Sequence, residues 1–276
     1  MSLTITPLSR HLAAQVDGVD LREPMDDGTF RRILGAWHQY GVLRFRDQQI
    51  ESRHLKAFSE RFGRLEIHIH KEFLDPDHPE ILLLSNRKRA DGSPAGLAET
   101  GRRWHSDLQY AAQPCIASVL FGDEVPTIGG DTEFASTAAA YDSLDEATRK
   151  QLDGLIAVQS YAKTTRDGVK EARQKVVPDV QHPAVLTHPA TGRKALYVSE
   201  SMTRSFVGLS DQESEQLLAR LVQHSTRPEF RWAQQWQAKD VIIWDNRAVI
   251  HRATPYDLSQ TRHMKRTTVM PMHPGV

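Results

Sequence analysis

The apolar residues of this chain gather in runs of strand length, and that habit restricts the fold more than any other feature. Ile81-Leu82-Leu83-Leu84, Ile116 to Phe121, Ala195-Leu196-Tyr197-Val198, Val241-Ile242-Ile243-Trp244 and Arg266 to Met270 are each bordered by turn residues. Helical spacing lies between and before them. Phe30, Ile33, Leu34 and Trp37 share a helix face. Leu55, Phe58 and Phe62 predict a second helix with Gly63 as its C-cap. Ser210-Asp211-Gln212-Glu213 is a capping box that opens a third helix through Leu217, Leu218, Leu221 and Val222. Many short strands with a few peripheral helices predict a mainly β chain with flanking helices (α+β), built as a sandwich or jelly roll.

A length of 276 residues fits one large domain or two small ones. No internal repeat or low-complexity linker divides the chain, so residues 1–276 are read as a single domain. Arg87 to Arg103 and Lys163 to Pro178 are polar and aperiodic, and read as long loops of the kind that serve as lids or binding loops.

Lys+Arg and Asp+Glu each total 35, so no global field draws the chain to nucleic acid or anionic lipid. The N-terminus lacks the basic start and apolar run of a secretory signal, and no stretch approaches a bilayer span. The expectation is a cytoplasmic protein without membrane or nucleic-acid partners. Cys115 is the only cysteine, which excludes an internal disulfide and every multi-cysteine metal site. It opens an apolar run and reads as a buried structural thiol. Any metal must then be held by His, Asp and Glu, a donor set that suits Fe(II), Mn(II) or Zn(II).

Trp104-His105-Ser106-Asp107 holds such donors. On an extended strand, residues two apart face the same side, so His105 and Asp107 can grip one ion. An isolated His-x-Asp also arises by chance as a surface pair at a strand end. A second histidine, His251, follows the apolar strand Val241 to Trp244 and a turn at Asp245-Asn246-Arg247. Alone it reads as a hydrogen-bonded structural histidine. Together, two imidazoles and one carboxylate are the facial ligand set of non-haem Fe(II) oxygenases. Arg262 lies 262 − 251 = 11 residues beyond His251, and Arg266 follows at an even separation, on the same face of an extended strand. Buried guanidiniums need anionic partners, and arginine binds carboxylates bidentately. The alternative is a solvent-facing basic strand.

With these residues in view, the chain resembles the taurine dioxygenase / 2,4-dichlorophenoxyacetate dioxygenase (TauD/TfdA) family of Fe(II)- and 2-oxoglutarate-dependent oxygenases. Trp104 to Asp107 matches the family's first ligand block. Gly129-Gly130-Asp131-Thr132-Glu133-Phe134, with the Ala139 to Asp142 helix after it, matches a second block. Thr187-His188-Pro189-Ala190-Thr191-Gly192, Trp244-Asp245-Asn246-Arg247 and the His251–Arg262 spacing match others. The likeness runs from Val19-Asp20-Leu21-Arg22 nearly to the end of the chain.

The resemblance implies a double-stranded β-helix (jelly roll) in which His105, Asp107 and His251 bind Fe(II). It implies that Thr132 and Arg262 hold the distal carboxylate of 2-oxoglutarate, with Trp244 walling that pocket. It places Arg266 at a position that contacts an acidic substrate group, with His70 as a candidate second contact and Arg102, Arg103 or Lys163 as further help; the alternative is that His68 and His70 are exposed strand residues. Dioxygen would be consumed, succinate and carbon dioxide released, and a small carboxylate, sulfonate or sulfate ester hydroxylated. The carboxylate at 107 points to oxygen transfer rather than halogenation. Desaturation or oxidative decarboxylation on the same scaffold is the alternative outcome, and a non-redox jelly-roll metalloenzyme is the alternative class. The resemblance also implies a homo-oligomer, a dimer or tetramer.

Overall fold

The computed structural model describes residues 2–161 and 177–272. The long segment expected over Lys163 to Pro178 therefore lies almost wholly outside the described residues. In chain order the elements begin with β1 (Thr4–Pro7), β2 (Ala14–Asp17), α1 (Asp27–Tyr40), β3 (Val42–Phe45), α2 (Ser52–Glu60), β4 (Arg64–Leu65) and β5 (Ile81–Ser85). After a long loop come β6 (Ala117–Glu124), β7 (Thr132–Ser136), α3 (Thr137–Asp142), α4 (Glu146–Leu152), β8 (Ile156–Gln159), β9 (Val180–Pro183), β10 (Val185–Thr187), β11 (Lys194–Leu196) and β12 (Thr203–Phe206). The chain closes with α5 (Asp211–Ser225), β13 (Arg231–Gln234), β14 (Asp240–Asp245), β15 (Val249–Ala253) and β16 (His263–Met270).

The main sheet runs β1-β2-β3-β14-β6-β16-β4, with β5 also paired to β16. A smaller sheet, β13-β7-β15, packs against it. Between the two lie Leu82, Leu84, Leu120, Phe134, Ile242, Trp244, Val249 and Met264, one buried cluster drawn from both layers. This is the jelly roll. The outer face of the main sheet is covered by α1 and α2, where Ile33, Trp37, Leu55 and Phe58 meet Leu43, Phe45, Val119, Phe121, Val241 and Ile243. Thus β14 alternates between two buried faces, which is why it reads as an unbroken apolar run rather than as apolar–polar alternation. A third cluster, from α3, α4, α5, Leu196 and Phe206, closes the far side.

The helices form where their caps allow. Asp26 accepts from Thr29 N to open α1, and Gly41, at φ +69°, closes it in the left-handed conformation. The capping box at Ser210 and Glu213 opens α5 as expected. Gly63 departs from expectation: α2 ends at Arg61, which is right-handed, and Gly63 is not its left-handed cap. Its role is steric, because a Cβ there would sit 2.3 Å from the Met270 carbonyl oxygen of β16. Among the described residues no helix is long and apolar enough to cross a membrane.

Candidate metal centre and cosubstrate cleft

The centre is assembled where the chain passes from one sheet to the other. β14 belongs to the main sheet and β15 to the smaller one, so the turn at 246–248 carries His251 across the sandwich. Asp245 holds that turn, accepting from Arg247 N at 3.0 Å and Arg247 Nη2 at 2.8 Å. His188 Nε2 is also 2.8 Å from Asp245 Oδ2. Because His188 Nδ1 accepts from Ala190 N and Thr191 N, its proton resides on Nε2 and is donated to Asp245. Asp245 is 1 % exposed. Burial would raise its carboxyl, but the Arg247 guanidinium and His188 prevail and bring it down to about 2.

His105 meets His251 through a two-residue antiparallel bridge, with His105 N donating to His251 O at 3.0 Å and His251 N to His105 O at 2.8 Å. The extended strand expected for His105-Ser106-Asp107 is therefore only this bridge. Leu108, at φ +50°, turns the chain away immediately afterwards. Asp107 is held in the turn by its own N–H, donated to Asn246 Oδ1 at 3.1 Å.

Three donor atoms converge. His105 Nε2 is 3.9 Å from Asp107 Oδ1 and His251 Nε2 is 3.8 Å from Asp107 Oδ2. One ligand atom from each residue lies within 4.8 Å of the others. His105 Nδ1 is 2.9 Å from the Arg103 carbonyl, which can only accept, so the ring proton sits there and the Nε2 lone pair stays free. Burial pushes both histidines below their ordinary range, His251 well below it, with the neighbouring His105 ring adding to the effect. For Asp107 burial pulls upward, but Arg266 and the two imidazoles override it and hold the carboxyl below its usual value. Two neutral imidazoles and one ionised carboxylate in a nearly dry recess fit a divalent cation of intermediate softness.

The carboxylate is gripped on both sides. Arg266 Nη1 donates to Asp107 Oδ1 at 2.9 Å and Ser118 Oγ to Asp107 Oδ2 at 2.7 Å. Below it, Asn246 Oδ1 accepts from Trp244 Nε1 at 3.0 Å while Asn246 Nδ2 donates to Ser118 Oγ at 3.1 Å. Cys115 is buried in the same layer and donates Sγ–H to the Asp107 carbonyl at 3.1 Å. Ser118 was invisible to motif reading, because nothing in an apolar strand marks one serine as facing a carboxylate. Asn246 lay inside a recognised block but carried no assigned task.

A cleft lined by His105, His251 and Arg266 beside Asp107 also takes in Trp244, Thr132 and Arg262. The Trp244 ring stands 4.7 Å from the His251 ring and forms one wall. At the far end Thr132 Oγ1 accepts from Trp236 Nε1 at 3.1 Å, so its hydroxyl proton is free to point elsewhere. Arg262 is 7 % exposed. Among the described residues no carboxylate stands within ion-pair distance of it, and burial drives its guanidinium down to about 10. A buried cation without a counter-charge is an anion receptor in waiting.

His70 lies elsewhere. It faces Tyr161 OH at 3.5 Å and Glu72 Oε1 at 3.5 Å, outside the cleft lining. His68 is stacked on it at 5.2 Å and, like His70, is not among the residues lining the cleft. Burial and then Arg266 depress His68 to about 3, and Asp107 also acts on it. His68 Nδ1 accepts from His70 N at 3.2 Å, leaving Nε2–H as its donor. Alternation with exposed Ile67 and Ile69 marks both histidines as sharing a side, but not which one lies deeper. Arg102 lines the cleft and donates to the Thr254 carbonyl. Lys163 lies outside the described residues.

Comparison with known proteins agrees with this geometry. The family model "Taurine catabolism dioxygenase TauD, TfdA family" matches residues 4–268. The chain is 33% identical to the alpha-ketoglutarate-dependent 2,4-dichlorophenoxyacetate dioxygenase of Cupriavidus pinatubonensis, covering 98% of each chain. It is 32% identical to the (S)-phenoxypropionate/alpha-ketoglutarate-dioxygenase of Sphingobium herbicidovorans, over 94% of this chain and 92% of the other. Among solved structures it is similar to AAD-2 in complex with Mn(II) and N-oxalylglycine, with a TM-score of 0.84, 33% identity and 100% of both chains covered. A jelly roll, a His-Asp-His donor set and whole-length likeness to enzymes of one kind converge, and the chain belongs to the TauD/TfdA family of Fe(II)- and 2-oxoglutarate-dependent dioxygenases.

Proposed function

We propose that residues 1–276 form one dioxygenase domain that hydroxylates a small carboxylate-bearing molecule of the aryloxyalkanoate kind. His105, Asp107 and His251 hold Fe(II). Thr132 and Arg262 clamp the distal carboxylate of 2-oxoglutarate, and Trp244 walls its pocket. Arg266 receives the substrate anion, and the stacked pair of His70 and His68 supplies a second contact. Fe(II), when bound, supplies the oxidation in which dioxygen and 2-oxoglutarate become succinate and carbon dioxide and one oxygen enters a substrate C–H bond.

The observation that carries this reading is Arg262, a buried guanidinium on the same cleft as the His-Asp-His cluster and without a carboxylate partner among the described residues. A hydrolase or isomerase using three such ligands has no need of that cation. The substrate class is supported by the 2,4-dichlorophenoxyacetate and (S)-phenoxypropionate dioxygenases to which the chain is similar, both named for aryloxy acids. It is also supported by a second guanidinium, Arg266, at the cleft's metal end. Hydroxylation beside an ether oxygen would yield a hemiacetal that breaks to a phenol and a carbonyl acid. The protein's own contribution is positional. Ser118 and Arg266 fix the carboxylate, Arg103 O fixes the His105 tautomer, and the buried walls exclude water.

Two measurements test the reading. Fe(II) and 2-oxoglutarate added without oxygen should give a visible metal-to-ligand charge-transfer band, and its absence from the wild type would overturn the cosubstrate assignment. In air, succinate release should be fastest with aryloxyacetates or aryloxypropanoates. A clear preference for sulfonates or sulfate esters would replace the substrate class and leave the chemistry intact. We further expect a cytoplasmic homo-oligomer, a dimer or tetramer, which light scattering would determine.

A further inference from the structure

Among the residues lining the cleft, Tyr256 carries a polar atom that the described residues leave unpartnered. Its hydroxyl is buried and has no hydrogen-bond partner among the described residues. Tyr256 lines the same cleft as Thr132 and Arg262. Two guanidiniums lie over its ring, with the Arg262 Cζ 5.8 Å and the Arg102 Cζ 5.7 Å from the ring centroid.

The placement is enforced by the glycine pair that precedes Thr132. Gly129 and Tyr256 form an antiparallel bridge, and Gly130 N donates to Pro255 O at 3.0 Å. A Cβ on Gly129 would stand 2.5 Å from Pro255 O, and one on Gly130 would stand 3.4 Å from Arg262 Nε. Both glycines have positive φ, +74° and +69°. The Gly-Gly step therefore lets Pro255-Tyr256 and the Arg262 side chain close on the start of β7, where Thr132 sits.

We propose that the Tyr256 hydroxyl is a third donor to the distal carboxylate of 2-oxoglutarate, beside Thr132 and Arg262. The inference rests on the cosubstrate reading above and deepens it. A carboxylate offers about four acceptor positions, more than one hydroxyl and one guanidinium need to fill. A phenol has a proton to give, and the flanking guanidiniums favour an anion as its acceptor. Leaving a hydroxyl buried without a partner is unfavourable unless a ligand completes it. Arg102, also near the ring, adds positive charge without needing to touch the ligand.

Tyr256→Phe tests the assignment on the Mn(II)-loaded protein, with affinity read by quenching of tryptophan fluorescence. The probes are 2-oxoglutarate and 2-oxopentanoate, which has the same chelating end but a methyl group in place of the distal carboxylate. The variant should bind 2-oxoglutarate about tenfold more weakly, in the range of one hydrogen bond to a charged group. Its affinity for 2-oxopentanoate should not change. Without ligand its Tm should equal or exceed that of the wild type, because no protein partner loses a bond.

Equal 2-oxoglutarate affinity in variant and wild type would overturn the role of Tyr256, as would an equal loss for both probes. If the wild type itself fails to prefer 2-oxoglutarate over 2-oxopentanoate, the carboxylate clamp fails and this inference with it. A wild type that shows the preference beside an unaffected variant would remove Tyr256 alone.

Discussion

Arg262 shows how a single residue can be set against the stability of its own fold. Its pKa falls from 12.5 to about 10, chiefly through burial, and that difference corresponds to about 3 kcal/mol unfavourable to folding. The sign is that of a base whose charged form is disfavoured in the native state. The penalty is therefore present at every pH below about 10 and is relieved only as pH rises through that value. Arg262→Met keeps the length and removes the charge. Urea unfolding at pH 7 should find it at least as stable as the wild type without ligand, while 2-oxoglutarate affinity falls on the order of a hundredfold. A marked loss of stability would mean that Arg262 is structural and not kept for a ligand. The residue was legible in the sequence by its spacing from His251. Its lack of a counter-charge was not, because partners are a property of the packed cleft. The same limit explains His68 and His70, where alternation picks out a side and only packing picks out a depth.

At the scale of elements, the β14–β15 connection matters most, because it delivers His251. Asp245 anchors it through Arg247 and His188. Its carboxyl is depressed to about 2 against a usual 3.8. The stabilisation is thus fully present above pH 3.8 and is lost as pH falls through about 2. Asp245→Asn should destabilise by about 3–5 kcal/mol at pH 7, as expected for breaking a buried pair. The gap between variant and wild type in chemical unfolding should narrow as the pH is lowered from 4 toward 2, to the order allowed by this linkage; a gap independent of pH would deny the ion pair its role.

Two glycines give a contrasting test of local geometry. Gly35 lies in the interior of α1, exposed, with nothing within 4 Å of an added Cβ, so Gly35→Ala should stabilise by about 0.5–1 kcal/mol. Gly63 would place its Cβ 2.3 Å from Met270 O, so Gly63→Ala should destabilise by about 1–3 kcal/mol. Thermal melts of the two variants should move in opposite directions. Sequence pattern located both helices but mistook the reason for Gly63, since a close approach to a strand two hundred residues later in the chain leaves no local signal.

Across the whole molecule, the centre joins segments that the chain keeps far apart, with His105 and Asp107 from the loop before β6 and His251 from β15 of the opposite sheet. A metal binding only the native arrangement should therefore stabilise the fold globally, by about 2.7 kcal/mol at a hundredfold excess over Kd. Mn(II) should raise the Tm of the wild type and leave that of His251→Ala unchanged. An equal rise in both would mean that the ion binds elsewhere. By itself the sequence determined the class of fold, because strand-length apolar runs between capped helices admit few packings. It also picked out the candidate donor residues, because only certain side chains bind such a metal and their blocks resemble one family. What the tertiary structure alone decided was who faces whom: that His105 is a bridge rather than a strand, that Arg266 and Ser118 share the Asp107 carboxylate, and that, among the described residues, Arg262 lines the cleft without a carboxylate partner and the Tyr256 hydroxyl without a hydrogen-bond partner. Burial and pairing arise when distant segments pack and exclude water, and no single segment carries that information.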